Sequence, residues 1–274
     1  MTDRELMHRY LGRLGLAAPP PPSWDGLKLL VGRHLRAIPF ENLDVMAHLR
    51  CELTTAGSLH KIVSRGRGGF CYELNEAFGA LLGYAGFTVK RIEARVWSVP
   101  QQNFGPPFDH LALVVSLPEG DFLTDVGFGD NNRTPLRLPE DEMEDLSGRY
   151  TLKPASSCVW RLARPDRPLY DMTLAAQPLE VFAPMHRFHQ SSPESIFSKG
   201  LICTRATANG RITLSGDRLS IIDGSHREES VGGERAGTLA QYFGIAEETY
   251  VDAPGPDRGR AAHAGQTGPA LGGP

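Results

Sequence analysis

The stretch RGRGGFCYELN, residues 65–75, sets two arginines, three glycines and a phenylalanine directly before Cys71. A thiol acts as a nucleophile only as the thiolate. Arg65 and Arg67 bring positive charge close to it in sequence. The run after Cys71 reads as a helix, whose N-terminal dipole and unpaired N–H groups would face the sulfur. Those N–H groups could also hold an oxyanion after attack on a carbonyl. Glycines let backbone approach a substrate closely. The loop alone reads equally well as a turn that buries a cysteine in the first turn of a helix. A cysteine nucleophile further needs a base, and the base needs a group that orients it.

Two later residues offer those parts. FDHLALVV starts a strand at His110, and TDVGFG puts Asp125 near the end of the next. If the turn centres near Leu117 and Pro118, the two lie directly opposite, about 5 Å apart between β-carbons. A four-residue turn at PEGD would instead separate them by roughly 13 Å along the strand. The sequence permits contact without forcing it; a shorter register or a bulge is required. The order Cys71, His110, Asp125, with the thiol on a helix and its partners on adjacent strands, is the plan of cysteine proteases and transglutaminases. Other chemistry is weaker. HRFH at 186–189 spaces two histidines for one helix face, yet no carboxylate or cysteine stands at a convincing spacing, so no metal is expected. RGRGGF lacks the Gly-Lys-Ser/Thr ending of a phosphate loop.

The elements that must position these residues read as follows. Thr2 and Glu5 fit a capping box ahead of an apolar stripe from Leu6 to Leu14, and PPPP at 19–22 ends that helix. Ser23 caps a second helix. IPFENLD at 38–44 reads as a turn, and a helix near 56–64 precedes the glycine loop. Residues 1–85 are therefore expected to form a helical bundle carrying the nucleophile. In TVKRIEARVW the pattern changes to strict alternation, as in a half-buried strand. The loop at 100–108 precedes the His110 strand, and further strands are expected near 149–152, 158–163 and 168–173. Residues 86–180 are thus expected to form a small β-barrel carrying His110 and Asp125. A helical or irregular connector near 178–197 leads into LICTRAT, GRITLS and LSIID, a β-meander, then a short helix at GTLAQYFGI. That makes 181–252 a connector and an α/β lid. Residues 253–274, rich in glycine, proline and alanine, are expected to be disordered.

Composition sets the limits. The chain has 274 residues, more than one compact core usually holds. A net charge of −3 gives no footprint for nucleic acid or an anionic membrane. The longest apolar stretch, LALVVSL, is too short to span a bilayer, and MTDRELMHRY has no signal-peptide core. The four cysteines are widely spaced without a CxxC pair, so neither a disulfide framework nor a zinc site is expected and the expected location is the cytoplasm.

Taken together, RGRGGFCYELN, IPFENLD, the His110 strand and DVGFGD resemble the arylamine N-acetyltransferases. LYDMTLAAQPLEVF, HQSSPESIF and the late FGI share that likeness, which covers most of residues 1–250. The resemblance implies an α+β fold of helical bundle, β-barrel and α/β lid, on the cysteine-protease/transglutaminase-like plan. It implies a catalytic triad of Cys71, His110 and Asp125, with acetyl-CoA as acyl donor. Acceptors would be arylamines, arylhydrazines or aryl hydroxylamines. It also implies an acceptor pocket lined by Phe40, Val96 and Phe128, and donor contacts at Phe108, Gly129 and Thr207. Glu41 and Asn42 would hold the turn beside the active loop. One departure stands out. Asp109, before the histidine, is an acid where many relatives carry a neutral polar residue, and it would repel CoA phosphates. Two other readings share the chemistry: an amide synthase closing a macrolactam from a carrier-bound acyl chain, and a cysteine hydrolase or transglutaminase-like enzyme. A non-catalytic binding protein on the same fold is the reading from another class. Nothing in the sequence sets an oligomeric state.

Overall fold

The computed structural model describes residues 3–130 and 132–251. Thr2, of the expected first cap, and the expected disordered tail lie outside them. Helix α1 (Asp3–Arg13) buries Met7, Tyr10 and Leu11. Helix α2 (Trp24–Ala37) is capped by Ser23, whose side chain accepts from the Gly26 N–H at 3.2 Å. The IPFENLD segment is not a simple turn. Phe40–Glu41 forms a two-residue strand, β1, and Leu43–Met46 a short helix, α3. Helix α4 (Thr55–Leu59) runs on through a wider turn, His60–Ser64, into the glycine loop. Helix α5 (Cys71–Tyr84) follows, with Cys71 at its first position.

Strands β2 (Thr88–Ser98), β4 (His110–Leu117) and β5 (Gly120–Thr124) form an antiparallel meander. Two short strands, β3 (Asn103–Phe104) in the expected loop and β6 (Leu136–Arg137), escape sequence reading because two residues carry no alternation. The sheet continues through β7 (Asp141–Asp145), β8 (Gly148–Pro154), β9 (Trp160–Arg164) and β10 (Arg167–Met172). Its order is β6-β5-β4-β2-β10-β9-β8-β7, with β3 on β2. The end strands β6 and β7 are also consecutive in the chain, so the sheet curls into a barrel-like layer around Ile92, Val114, Leu152, Leu162 and Tyr170.

After α6 (Ala183–Ser191) a second sheet is built from β11 (Ile202–Ala206), β12 (Arg211–Ser215), β13 (Arg218–Ile222) and β14 (His226–Ser230). Strand β1 closes one edge, pairing Phe40 with Thr204 and Glu41 with Cys203. The N-terminal helices are thereby tied to the last sheet. The chain then passes through α7 (Arg235–Thr238) to α8 (Glu248–Val251). The fold is α+β. No helix among the described residues is long and apolar enough to cross a membrane.

Candidate active site

Cys71, His110 and Asp125 meet although they come from three elements. The β4–β5 turn has only Pro118 and Glu119 between the paired Leu117 and Gly120. This register would set Asp125 opposite Ala112, diagonal to His110 and on the same face. It is neither the directly opposed nor the four-residue-offset arrangement that the sequence allowed. A diagonal pair lies within reach of long side chains, and His110 Nε2 sits 2.8 Å from Asp125 Oδ2. The other ring nitrogen, Nδ1, is not engaged by Asp125, and the Cys71 side chain lies close enough to the imidazole to raise its pKa. All three are buried.

Burial alone would lower the His110 pKa. The charge and hydrogen bond of Asp125, joined by those of Cys71, overcome it and push the value up to about 10. Asp125 is displaced the other way. Burial would raise it, but His110, the Asn75 amide and the Gly127 N–H hold its carboxyl below the usual range. The pair is therefore an imidazolium and a carboxylate at neutral pH.

Residues that the sequence reading missed complete the site. Asn75, one helical turn after Cys71, donates to Asp125 Oδ1 (2.8 Å) and the Leu111 carbonyl (2.7 Å). Its Oδ1 accepts from the Val126 N–H at 3.0 Å. Its spacing of four from the nucleophile was the available signal. The Tyr170 hydroxyl donates to Asp125 Oδ2 at 3.1 Å. Gly127 packs against Cys71: a β-carbon there would lie 2.8 Å from the Cys71 α-carbon.

The positively charged loop does something other than expected. The Arg67 guanidinium is fully buried and bound by Glu41 (2.8 Å) and Asp44 (2.8 Å). Arg65 and Arg67 also donate to the Thr249 carbonyl. The cation at the sulfur is His110. The glycines likewise serve packing within the chain. A β-carbon at Gly68 would stand 2.0 Å from the Pro39 carbonyl oxygen, and one at Gly69 would stand 2.7 Å from Glu73 Oε2. Gly66 has φ +68°, which a glycine adopts without strain. Asp44, Cys51 and Glu73 converge at metal-ligand separations, but the Lys61 ammonium lies 2.9 Å from both Asp44 and Glu73 and supplies the positive charge there.

The remaining expected site residues divide. Phe128 packs edge-on to His110 at 5.5 Å, and Phe40, Phe128 and Gly129 line a cavity of about 500 Å³. Val96 pairs with Tyr170 two residues along β2 from Ala94, the partner of His110, so it shares the His110 face but lies off that cavity. Phe108 is not on the cavity wall: with φ +65° it packs against Phe182 at 5.3 Å, and its carbonyl accepts from the Tyr72 hydroxyl at 2.7 Å. Thr207 does not line the cavity, and its carbonyl is taken by Arg133 (2.6 Å), while Thr204 does line it. Asp109 also lies off the cavity, and its Oδ1 is 3.1 Å from His189 Nε2. His186 of the HRFH pair stacks on Phe70 at 5.4 Å. The cavity wall instead presents Arg133, Arg164, Arg211 and Arg218, which sequence reading did not single out.

Comparison with known proteins gives one consistent family. A family model described as N-acetyltransferase matches residues 23–249. The arylamine N-acetyltransferase of Mycolicibacterium smegmatis is 32% identical over 243 residues, spanning 85% of this chain and 87% of the relative. Among solved structures, arylamine N-acetyltransferase from Salmonella typhimurium superposes with a TM-score of 0.82 at 27% identity, over 89% of this chain and 92% of that one. The Mycobacterium marinum arylamine N-acetyltransferase in complex with CoA superposes with a TM-score of 0.79 at 30% identity, over 87% of this chain and 92% of that one.

Proposed function

The chain belongs to the arylamine N-acetyltransferase family, and from that premise we propose that Cys71, His110 and Asp125 are the triad through which it transfers acetyl groups from acetyl-CoA to aromatic amines. The observation that carries the residue assignment is the buried, hydrogen-bonded pair of Asp125 and His110 set beside a buried cysteine at a helix N-terminus. The donor reading takes support from the CoA-bound structural relative and from the arginine-lined cavity that opens at Phe128, next to His110.

The reaction follows from the geometry. An imidazolium beside the sulfur is the counterion that an attacking thiolate needs. The thiolate attacks the thioester carbonyl, and the Cys71 N–H, ahead of the first helical bond from Leu74 to Phe70, is the oxyanion donor. The carbon–sulfur bond to CoA breaks, the leaving thiolate takes the His110 proton, and acetyl-Cys71 remains. The amine then attacks the same carbonyl and gives its proton to neutral His110. Collapse expels the Cys71 thiolate beside the restored imidazolium, completing a ping-pong cycle. Water must be kept from the acetyl-enzyme. Phe70 and Phe197, 5.5 Å apart, and Phe40, 5.9 Å from Phe197, form an aromatic layer that excludes it.

Phe40, Phe128 and Val96 would face the acceptor ring, and Gly129 the donor. We read the chain as a bundle (1–85), a barrel (86–180) and a lid (181–252) on the cysteine-protease/transglutaminase-like plan, in which the helix brings the thiol and the strands bring base and orienter. The free cysteines fit a reducing compartment, the cytoplasm. The test is intact mass after mixing with acetyl-CoA alone, beside Cys71→Ala. One added acetyl group in the parent and none in the variant is expected. No added mass and no released CoA would sink the donor assignment and favour a carrier-bound acyl donor.

A further inference from the structure

The cavity beside the triad is walled by guanidinium groups that arrive from distant parts of the chain. Arg133 follows β5, Arg164 ends β9 and Arg211 begins β12. Each is held in place by neutral partners. Arg133 donates to the Thr207 carbonyl (2.6 Å), the Gly210 carbonyl and Ser147 Oγ (3.0 Å). Arg164 donates to the Tyr150 hydroxyl (2.8 Å) and lies over that ring at 5.2 Å. Arg211 donates to the Gly129 carbonyl and to Thr204 Oγ1 (3.1 Å).

One carboxylate on this wall reaches two of them. Asp130 Oδ1 lies 3.2 Å from Arg211 Nε, and Oδ2 lies 3.1 Å from Arg164 Nη2. The exposures of the partners are unequal. The arginine side chains are 12% and 19% exposed, while that of Asp130 is 52% exposed. The cations are desolvated and fixed by other bonds. The anion faces solvent and can turn to water at small cost, because an exposed ion pair contributes little. Guanidinium groups in such a fork recognise phosphate as readily as carboxylate.

We propose that Asp130 is an internal counterion for the phosphates of the acyl donor: it neutralises Arg164 and Arg211 in the free enzyme and opposes the phosphate groups that dock on them. Its charge then sets how strongly the cavity favours a phosphorylated thioester over a neutral one, and it speeds release of product CoA. This rests on the reading of the cavity as the donor site. The competing role is structural, a clasp that merely holds the segment after Asp125 against β9 and β12.

Binding of CoA, dephospho-CoA and pantetheine to the parent protein and to Asp130→Asn, by calorimetry at low and physiological salt, separates these. Removal of one exposed charge is expected to tighten CoA by about two- to fivefold. Dephospho-CoA should tighten less and pantetheine not at all, with a steeper loss of CoA affinity on adding salt. Arg164→Gln, a second variant that leaves the carboxylate in place, should weaken CoA and spare pantetheine. An Asp130→Asn protein that binds CoA no more tightly than the parent overturns the inference, as does one that tightens pantetheine equally. A parent protein that binds pantetheine as well as CoA would remove the donor-site reading itself.

Discussion

At the scale of single residues, the candidate site holds an ion pair made inside the protein. The raised His110 pKa, about 10, means that its contribution to stability is complete below the ordinary value near 6.5 and is lost as pH rises through 10. Asp125 is depressed, so its contribution is present above the usual carboxylate range and is lost as pH falls below it. The pair therefore spans the range from about pH 4 to about pH 10. The His110 imidazolium, followed by NMR of its ring protons, should accordingly persist between pH 6 and 9. In Asp125→Asn the imidazolium loses its partner, and His110 should give up its proton at a lower pH. Turnover should fall on the order of 10³–10⁴-fold. A variant in which His110 titrates as it does in the parent would remove Asp125 from the role of orienter.

At the scale of elements, helix α5 is the hub. It presents Cys71, Tyr72 and Asn75 within its first two turns, and its Glu73 carboxylate accepts from the Phe70 N–H at 3.2 Å. Its remaining turns bury Phe78, Leu81 and Leu82 against the other helices. One residue in this helical core is at odds with its surroundings. His34 on α2 is fully buried 4.9 Å from Phe78, and neither ring nitrogen has a hydrogen-bond partner among the described residues. Burial, helped by Arg13, lowers its pKa to about 3. Below about pH 6.5 the unfolded chain binds a proton there that the folded chain refuses, so stability drains away as pH falls toward 3. In urea unfolding, the parent should lose more stability between pH 7 and pH 5 than His34→Phe does. Equal losses would show that the ring is not the acid-labile element.

At the scale of the whole molecule, the parts are joined by buried charge. Glu41, on β1 at the edge of the last sheet, and Asp44 of α3 bind Arg67 of the glycine loop. Lys61, before that loop, bridges Asp44 to Glu73 of α5. Burial lowers the tendency of both cations to hold their protons, and the surrounding carboxylates more than reverse it, leaving both pKa values raised. Removing one partner of such a network leaves an uncompensated buried charge. Arg67→Met should therefore cost about 3–5 kcal/mol of unfolding free energy. Arg67→Met with Glu41→Gln together should cost less than the sum of the single changes. Chemical unfolding of the three variants checks this, and strict additivity would argue against direct coupling.

The sequence alone was enough for what depends on near neighbours. The Ser23 cap, the helix beginning at Cys71 and the switch to alternation at β2 are set by local spacing. The order of Cys71, His110 and Asp125 was legible because a thiol, an imidazole and a carboxylate on a helix and two strands form a familiar chemical plan. The tertiary structure decided the partners. Two registers of the β4–β5 hairpin were open, and a two-residue turn chose a third, diagonal one. Arg67 stands four residues from Cys71 yet is claimed by Glu41 and Asp44, because a buried guanidinium must find carboxylates wherever folding places them. Arg133, Arg164 and Arg211 share one wall although long stretches of chain separate them. Strands of two residues such as β1 have no pattern of their own and exist only because a partner edge pairs with them. Backbone conformation is chosen over a few residues, whereas charge pairing and desolvation are settled by the whole packed chain, so the chemistry's parts were readable and their surroundings were not.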